Sequence, residues 1–357
     1  MQEVVKGIEN VGGILQSIGS RRYLLVCDAA FPHLSVSLPP EGARFDQFTS
    51  NPLYEDVCKG VELFNREGCD AIVAVGGGST IDVAKCIKLY CRMDPSVNYL
   101  EQTASDTHIP LIAVPTTAGT GSESTRYAVI YYEGRKQSVT HTSIIPNYAV
   151  LEPRLLKTLP LYQKKCTMLD ALCQGIESMW SVNSNDESMK YGEMAVEYIL
   201  RHWHDYIEHN TDRAAEMVML AANYAGRAIN ITQTTAPHAM SYKLTSMYGV
   251  PHGHAVALCL PEVWRYMQEH LGETSDPRGE KHLEAVFARI ERIMGSDALA
   301  TFLSLMEALQ LPSPVSVSPQ EDLETLTNSV NPVRLKNNPV PLPASVIYTM
   351  YKNILNL

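Results

Sequence analysis

The stretch Val73-Ala74-Val75-Gly76-Gly77-Gly78-Ser79-Thr80-Ile81-Asp82 carries an apolar run into three consecutive glycines and two hydroxyls, then into a helical period. It reads as a buried strand, a tight turn and a helix. Glycine lets backbone come close to a ligand, and free N–H groups at the positive end of a helix dipole favour an anion. The segment therefore predicts a pyrophosphate cradle. The plainer alternative is a tight strand-to-helix turn capped by Ser79 or Thr80. Neither the GxGxxG fingerprint nor the GxxxxGKS/T phosphate loop is present, so neither pattern adds support.

Working outward, residues 23–27, 70–75 and 110–114 read as short buried strands and residues 54–66 and 80–90 as helices. The strand segments are continuous apolar runs without alternation, which predicts a parallel sheet covered by helices on both faces. Residues 127–132 and 136–140, flanking Glu133-Gly134, read as a hairpin decorating that sheet. A second loop poor in bulk and rich in hydroxyls, Pro115-Thr116-Thr117-Ala118-Gly119-Thr120-Gly121-Ser122-Glu123, follows the strand at 110–114. Two polar loops thus leave strand ends of one sheet, where open α/β sheets bind their ligands.

After Leu159-Pro160 the texture changes to long amphipathic windows at 165–180, 186–209, 212–232, 280–311 and 345–357. The fold class expected is an α/β, Rossmann-like parallel-sheet domain over residues 1–159, followed by an all-α domain over 160–357. On the window at 165–180, Asp170, Gln174 and Glu177 recur at i, i+4 and i+7 and so share one face. Farther along, His238 and His252 frame a segment ending Val250-Pro251-His252-Gly253-His254. A carboxylate with two imidazoles suits a divalent metal with open positions, although ordinary surface or core roles fit the same spacing.

Composition narrows the function. Among 357 residues, 29 Lys plus Arg against 39 Asp plus Glu leave a net charge of -10, and the pI is near 5.6. That balance argues against nucleic acid and anionic membranes as partners. The first 20 residues lack an apolar signal core, and no apolar run approaches the roughly 20 residues needed to cross a bilayer. Eight cysteines without CxxC pairing read as reduced thiols of a cytoplasmic protein.

Taken in order, Gly76-Gly-Gly-Ser79-x-x-Asp82-x-Ala-Lys85, Pro115-Thr-Thr-Ala-Gly-Thr-Gly-Ser-Glu123, Leu169-Asp170-Ala-Leu-x-x-x-Ile176-Glu177, His238 and Pro251-His252-Gly253 resemble the iron-dependent (group III) alcohol dehydrogenase family, whose fold is also that of dehydroquinate synthase. The resemblance runs from about Tyr23 to Asn337-Asn338-Pro339. Within the family, residues 167–174, 180–184 and 237–243 look most like the phosphonoacetaldehyde reductases.

The resemblance implies NAD(P)H and a divalent metal, Fe(II) or Zn(II), in a cleft between the domains. Gly76, Gly77, Gly78 and Ser79 would hold the pyrophosphate, with Asp82 and Lys85 framing the loop. Thr116, Thr117 and Thr120 would line the nucleotide groove, and Lys136 matches a family lysine near the nicotinamide ribose. Asp28 stands where relatives keep an acid on the adenosine ribose; it would accept from a 2′-hydroxyl and repel a 2′-phosphate, so NADH is expected over NADPH. Asp170, His238 and His252 match three of the four family metal ligands. Gln174 replaces the remaining histidine, and its neutral amide is a weaker ligand.

Tyr242 stands where many members place a proton-relay histidine, and its reference pKa near ~10 would move the alkaline limb of the pH profile. The implied reaction reduces a small aldehyde to a primary alcohol, with the final proton coming from water, the ribose, Tyr242 or His254. Phosphonoacetaldehyde is the expected substrate, with Arg126, Lys243 and His254 as phosphonate contacts. The alternatives are a reductase for lactaldehyde or a 4-hydroxybutyrate semialdehyde, an NAD-using synthase or lyase of the same fold, and a catalytically silent binding protein. The family also suggests a homodimer or larger homo-oligomer.

Overall fold

The computed structural model describes residues 2–34 and 36–357. The chain divides into two compact units between Leu159 and Pro160.

The first unit is built on strands β1 (Glu3–Lys6), β2 (Tyr23–Cys27), β3 (Ala43–Phe45), β4 (Ala71–Gly76), β5 (Leu111–Pro115) and β8 (Tyr148–Leu151). They form one sheet in the order β1-β8-β5-β4-β2-β3, and every pairing is parallel. Strands β6 (Tyr127–Tyr132) and β7 (Arg135–Thr140) make the expected antiparallel hairpin. Helices α1 (Val11–Ser17), α2 (Tyr54–Arg66) and α3 (Gly78–Tyr90) complete the unit.

Every residue of β2, β4 and β5 is buried. The two-residue repeat of a strand sorts these apolar runs onto two cores. Leu24, Val26, Ile72 and Ala74 join Val57, Val61 and Phe64 of α2 and Ile81 and Ile87 of α3. Tyr23, Leu25, Val73 and Val75 join Val11, Ile14 and Leu15 of α1. From β2 the chain passes outward to β3 and then returns to β4 on the other side of β2, so the ends of β2 and β4 lie side by side where the strand order reverses.

The second unit holds α4 (Leu161–Trp180), α5 (Asp186–His204), α6 (Asp212–Thr232), α7 (Ala236–Tyr248), α8 (His252–Glu269), α9 (Glu280–Met294), α10 (Ala298–Leu309), α11 (Pro319–Ser329), α12 (Pro332–Leu335) and α13 (Ala344–Ile354). Helix α4 is buried around most of its circumference, which makes it the central helix, packed by α5, α6, α8 and α9.

Several boundaries differ from the sequence reading. The window at 280–311 is two helices, because Gly295 at φ 113° ends α9 and the Asp297 side chain caps α10 by accepting from the Ala300 amide. The window at 186–209 leaves α-helical geometry at His204 and closes with a π turn over Asp205–His209. Helix α4 begins four residues early, directly after Pro160. Helix α3 begins at Gly78 with Gly77 as its N-cap, and neither Ser79 nor Thr80 caps it.

Candidate active site

In the sheet unit, the glycine turn and the second loop meet. A Cβ on Gly76 would fall 2.2 Å from Thr80 Oγ1, one on Gly78 would fall 2.9 Å from the Thr120 side chain, and Gly77 lies against Thr117. None of the three has a positive φ, so close approach is what selects glycine at Gly76 and Gly78. The first intrahelical bond is donated by the Ile81 amide to the Gly77 carbonyl, which leaves the amides of Gly78, Ser79 and Thr80 ahead of the helical ladder. The Ser79 hydroxyl donates to the Ser50 carbonyl. The Thr116 amide donates to the Gly76 carbonyl at 3.0 Å, tying the second loop to the first.

Asp28 follows β2, and its carboxylate accepts from the Ala30 amide at 2.9 Å and from the Thr80 hydroxyl at 3.4 Å. The Asp28 carboxylate therefore stands beside the start of α3. Asp82 is occupied differently. Its carboxylate accepts from the Ser122 hydroxyl at 2.6 Å and from the Val129 amide at 2.9 Å, so it braces the second loop and the hairpin. Lys85 is fully buried and donates to Ser122 Oγ, Thr125 Oγ1 and the Tyr127 carbonyl. Burial pulls its pKa down to about 8, against the opposing pull of Asp82. Lys136, opposite Tyr131 in the hairpin, adds a positive field at Asp82. Arg126 is half-buried, its Nε donating to the Tyr127 hydroxyl at 3.2 Å.

In the helical unit, ligand atoms of Asp170 on α4, His238 on α7 and His252 at the start of α8 lie within 4.8 Å of one another. Gly253 makes this approach possible, since a Cβ there would fall 2.0 Å from the Cys166 carbonyl oxygen on α4. His238 Nε2 faces Asp170 Oδ1 at 3.3 Å, while its Nδ1 hydrogen-bonds to Glu177. Glu177 also accepts from the amide and hydroxyl of Thr235, at 2.6 and 2.8 Å. Burial works against charge on both His238 and Asp170. The carboxylates nonetheless raise the His238 pKa, and the imidazoles and the Gln174 amide lower that of Asp170.

Gln174 is buried one turn along from Asp170, on the same face. The set fits a divalent transition metal. One carboxylate and two imidazoles are a borderline donor set, and one imidazole is oriented by an outer carboxylate. Two buried acids, Asp170 and Glu177, also call for positive charge nearby.

The Tyr242 ring stacks on His252 at 5.5 Å and 4°. Its hydroxyl accepts from Arg334 Nη1 at 3.0 Å. Lys243 is half-buried on the same helix. His254 corrects an expectation. It is 1% exposed, burial alone holds its pKa down at about 4, and its Nδ1 is 3.0 Å from the Tyr162 hydroxyl. It is a neutral imidazole at neutral pH and cannot supply the positive charge assumed for a phosphonate contact.

Sequence reasoning put Glu177 on the Asp170 face by its i+7 spacing but gave it no role, and it missed Tyr162 and Arg334. Neither of those two had a signal, each lying 92 residues from its partner.

A glycine-lined strand end in a parallel sheet, and a buried carboxylate with two imidazoles in an all-helical unit, define the class. The chain belongs to the iron-containing alcohol dehydrogenase family. The family model described as iron-containing alcohol dehydrogenase matches residues 5–153, and the one for the C-terminal part of the family matches residues 165–355.

Among its relatives, phosphonoacetaldehyde reductase of Streptomyces viridochromogenes is 37% identical over 239 residues, 63% of this chain, and the match spans 60% of that protein's length. A 4-hydroxybutyrate dehydrogenase of Clostridium kluyveri is 30% identical over 88% of this chain and 84% of its own. The crystal structure of sulfoacetaldehyde reductase from Bifidobacterium kashiwanohense in complex with NAD+ has the same fold, with a TM-score of 0.86 at 24% identity over 99% of this chain and 97% of that one.

Proposed function

We propose that the protein reduces a short aldehyde carrying an anionic group to the primary alcohol, with phosphonoacetaldehyde as the substrate, consuming NADH and one proton per turnover. The observation that carries this reading is the buried cluster of Asp170, His238 and His252 with Glu177 behind it. In this reading Asp170, His238 and His252 hold the metal, with Gln174 as a weak fourth ligand. Gly76, Gly77, Gly78 and Ser79 hold the pyrophosphate, Asp28 the adenosine ribose, and Thr116, Thr117, Thr120 and Lys136 the rest of the dinucleotide, while Asp82 acts through the loop it braces. When bound, these two groups supply Lewis-acid polarisation of a carbonyl oxygen and a transferable hydride.

The chain's own residues do the rest. Glu177 keeps His238 Nε2 turned toward Asp170. Tyr242, held by Arg334 and stacked on His252, is placed to pass a proton, and His254 is a neutral hydrogen-bonding group beside Tyr162. Arg126 and Lys243 supply positive charge for the anionic tail. The names of the Streptomyces and Clostridium relatives both point to short substrates with an acidic group, which supports that chemistry. Succinate semialdehyde, the aldehyde paired with 4-hydroxybutyrate, is the second reading, and it rests on the longer of the two matches. The reading includes a cytoplasmic homodimer or larger homo-oligomer.

The test follows absorbance at 340 nm with phosphonoacetaldehyde, succinate semialdehyde and propionaldehyde, with and without added Fe(II) or Zn(II). A higher kcat/KM for phosphonoacetaldehyde, dependent on metal, and a preference for NADH over NADPH are expected. No metal dependence, or equal rates on all three aldehydes, would overturn the reading. Equal kcat/KM for NADH and NADPH would remove Asp28 from its assigned role.

A further inference from the structure

We infer that Arg334, on α12, recognises the anionic tail of the substrate; this rests on the reading that the substrate is a short anionic aldehyde. Arg334 is half-buried, donates Nη1 to the Tyr242 hydroxyl, and lies 5.2 Å from the Tyr242 ring centre. In the same unit, five other arginines, Arg201, Arg213, Arg265, Arg278 and Arg289, each sit on a carboxylate, while Arg227 lies over the Tyr191 ring. Among the described residues Arg334 forms no ion pair, and it hydrogen-bonds to and lies over Tyr242. A partly desolvated guanidinium whose one protein acceptor is a neutral phenol keeps most of its five donors for another acceptor.

Its position sets which acceptor that is. Tyr242 contacts both groups: the guanidinium lies 5.2 Å from its ring centre, and His252, one of the three clustered residues, stacks on the same ring at 5.5 Å. The aldehyde oxygen and an anionic group two or three carbons away are separated by a comparably short span. Phosphonate and carboxylate oxygens both match the planar fork of an arginine. Tyr242 thus serves as spacer and anchor, holding the guanidinium at a fixed offset from the carbonyl-binding end.

The experiment compares wild type with Arg334→Ala, Arg334→Gln and Arg334→Lys. The readout is the ratio of kcat/KM for phosphonoacetaldehyde to that for propionaldehyde, together with the inhibition constant of phosphonoacetate, which cannot be reduced. Arg334→Ala and Arg334→Gln are expected to lower that ratio about 10- to 100-fold, mainly through KM, and to weaken phosphonoacetate by a similar factor, with Arg334→Lys intermediate. An equal loss on both aldehydes with unchanged phosphonoacetate inhibition would overturn the inference, leaving Arg334 as a support for Tyr242 only. If Arg334→Ala fails to fold, Arg334→Lys and Arg334→Gln decide the matter by the same ratio. Wild-type enzyme that turns over both aldehydes equally would instead defeat the substrate reading itself.

Discussion

At the scale of single residues, Glu177 is the group through which the helical unit orients the cluster of Asp170, His238 and His252. It binds His238 Nδ1 and takes two further hydrogen bonds from Thr235, so the imidazole has one available orientation. Replacing such an outer partner typically costs 10- to 100-fold in metal affinity. Glu177→Gln is therefore expected to retain less metal than wild type after dialysis against a graded series of chelator, and Gln174→His to retain more, because imidazole replaces an amide. Elemental analysis of the dialysed protein reads both, and unchanged retention in either variant would remove that residue from the site. Asp170, Gln174 and Glu177 were legible as one helical face, and His252 through its Pro-His-Gly context. The junction of that face with His238 was legible only by resemblance, since periodicity carries no information across 68 residues. The neutrality of His254 was not legible, because it follows from burial and from Tyr162.

At the scale of elements, the sheet unit holds its loops with buried polar clamps. Glu152, 3% exposed at the end of β8, accepts from the Ile8 and Arg154 amides and from the Arg154 guanidinium, and that ion pair holds its pKa below the ordinary carboxylate range. A carboxylate depressed in this way adds stability above its unfolded pKa and loses it as pH falls through the folded value. Glu152→Gln is expected to cost about 1–2 kcal/mol at pH 7, at the low end of charged hydrogen bonds because Arg154 is largely exposed. The difference from wild type should shrink below about pH 4. Urea midpoints at the two pH values check this, and a gap that widens in acid would contradict it. Strands β2, β4 and β5 were legible because their apolar runs are continuous. Strands β1, β3 and β8 were not, since they are three or four residues long and β1 and β3 carry charged positions at the sheet's edges. The helix break at Gly295 was written in the sequence as a glycine followed by Ser296 and the capping Asp297, a stop and a start that the apolar period alone overran.

At the scale of the whole molecule, the ligand chemistry divides with the fold. Asp170, His238 and His252 come from α4, α7 and α8, all beyond Pro160, and the glycine turn, Asp28 and the threonine loop all come before it. The change of texture near residue 159 made that division legible, since buried β-branched runs give way to helical periods there. The net charge of -10 opposes an anionic ligand only through long-range repulsion. Screening over about 8 Å at physiological salt makes local cations such as Arg334 matter more than the total. Because a bound ligand stabilises only what it binds, by about 2.7 kcal/mol at a hundredfold excess over Kd, each unit should respond to its own ligand. Amide hydrogen exchange reads the two responses separately. Chelator is expected to speed exchange in α4, α7 and the first turns of α8 while leaving β2, β4 and β5 at their metal-loaded rates. NADH is expected to slow exchange at the start of α3 and at residues 116–121. Chelator-driven loss of protection in the strands, or none in α4 and α7, would mean that metal binding is not seated on Asp170, His238 and His252.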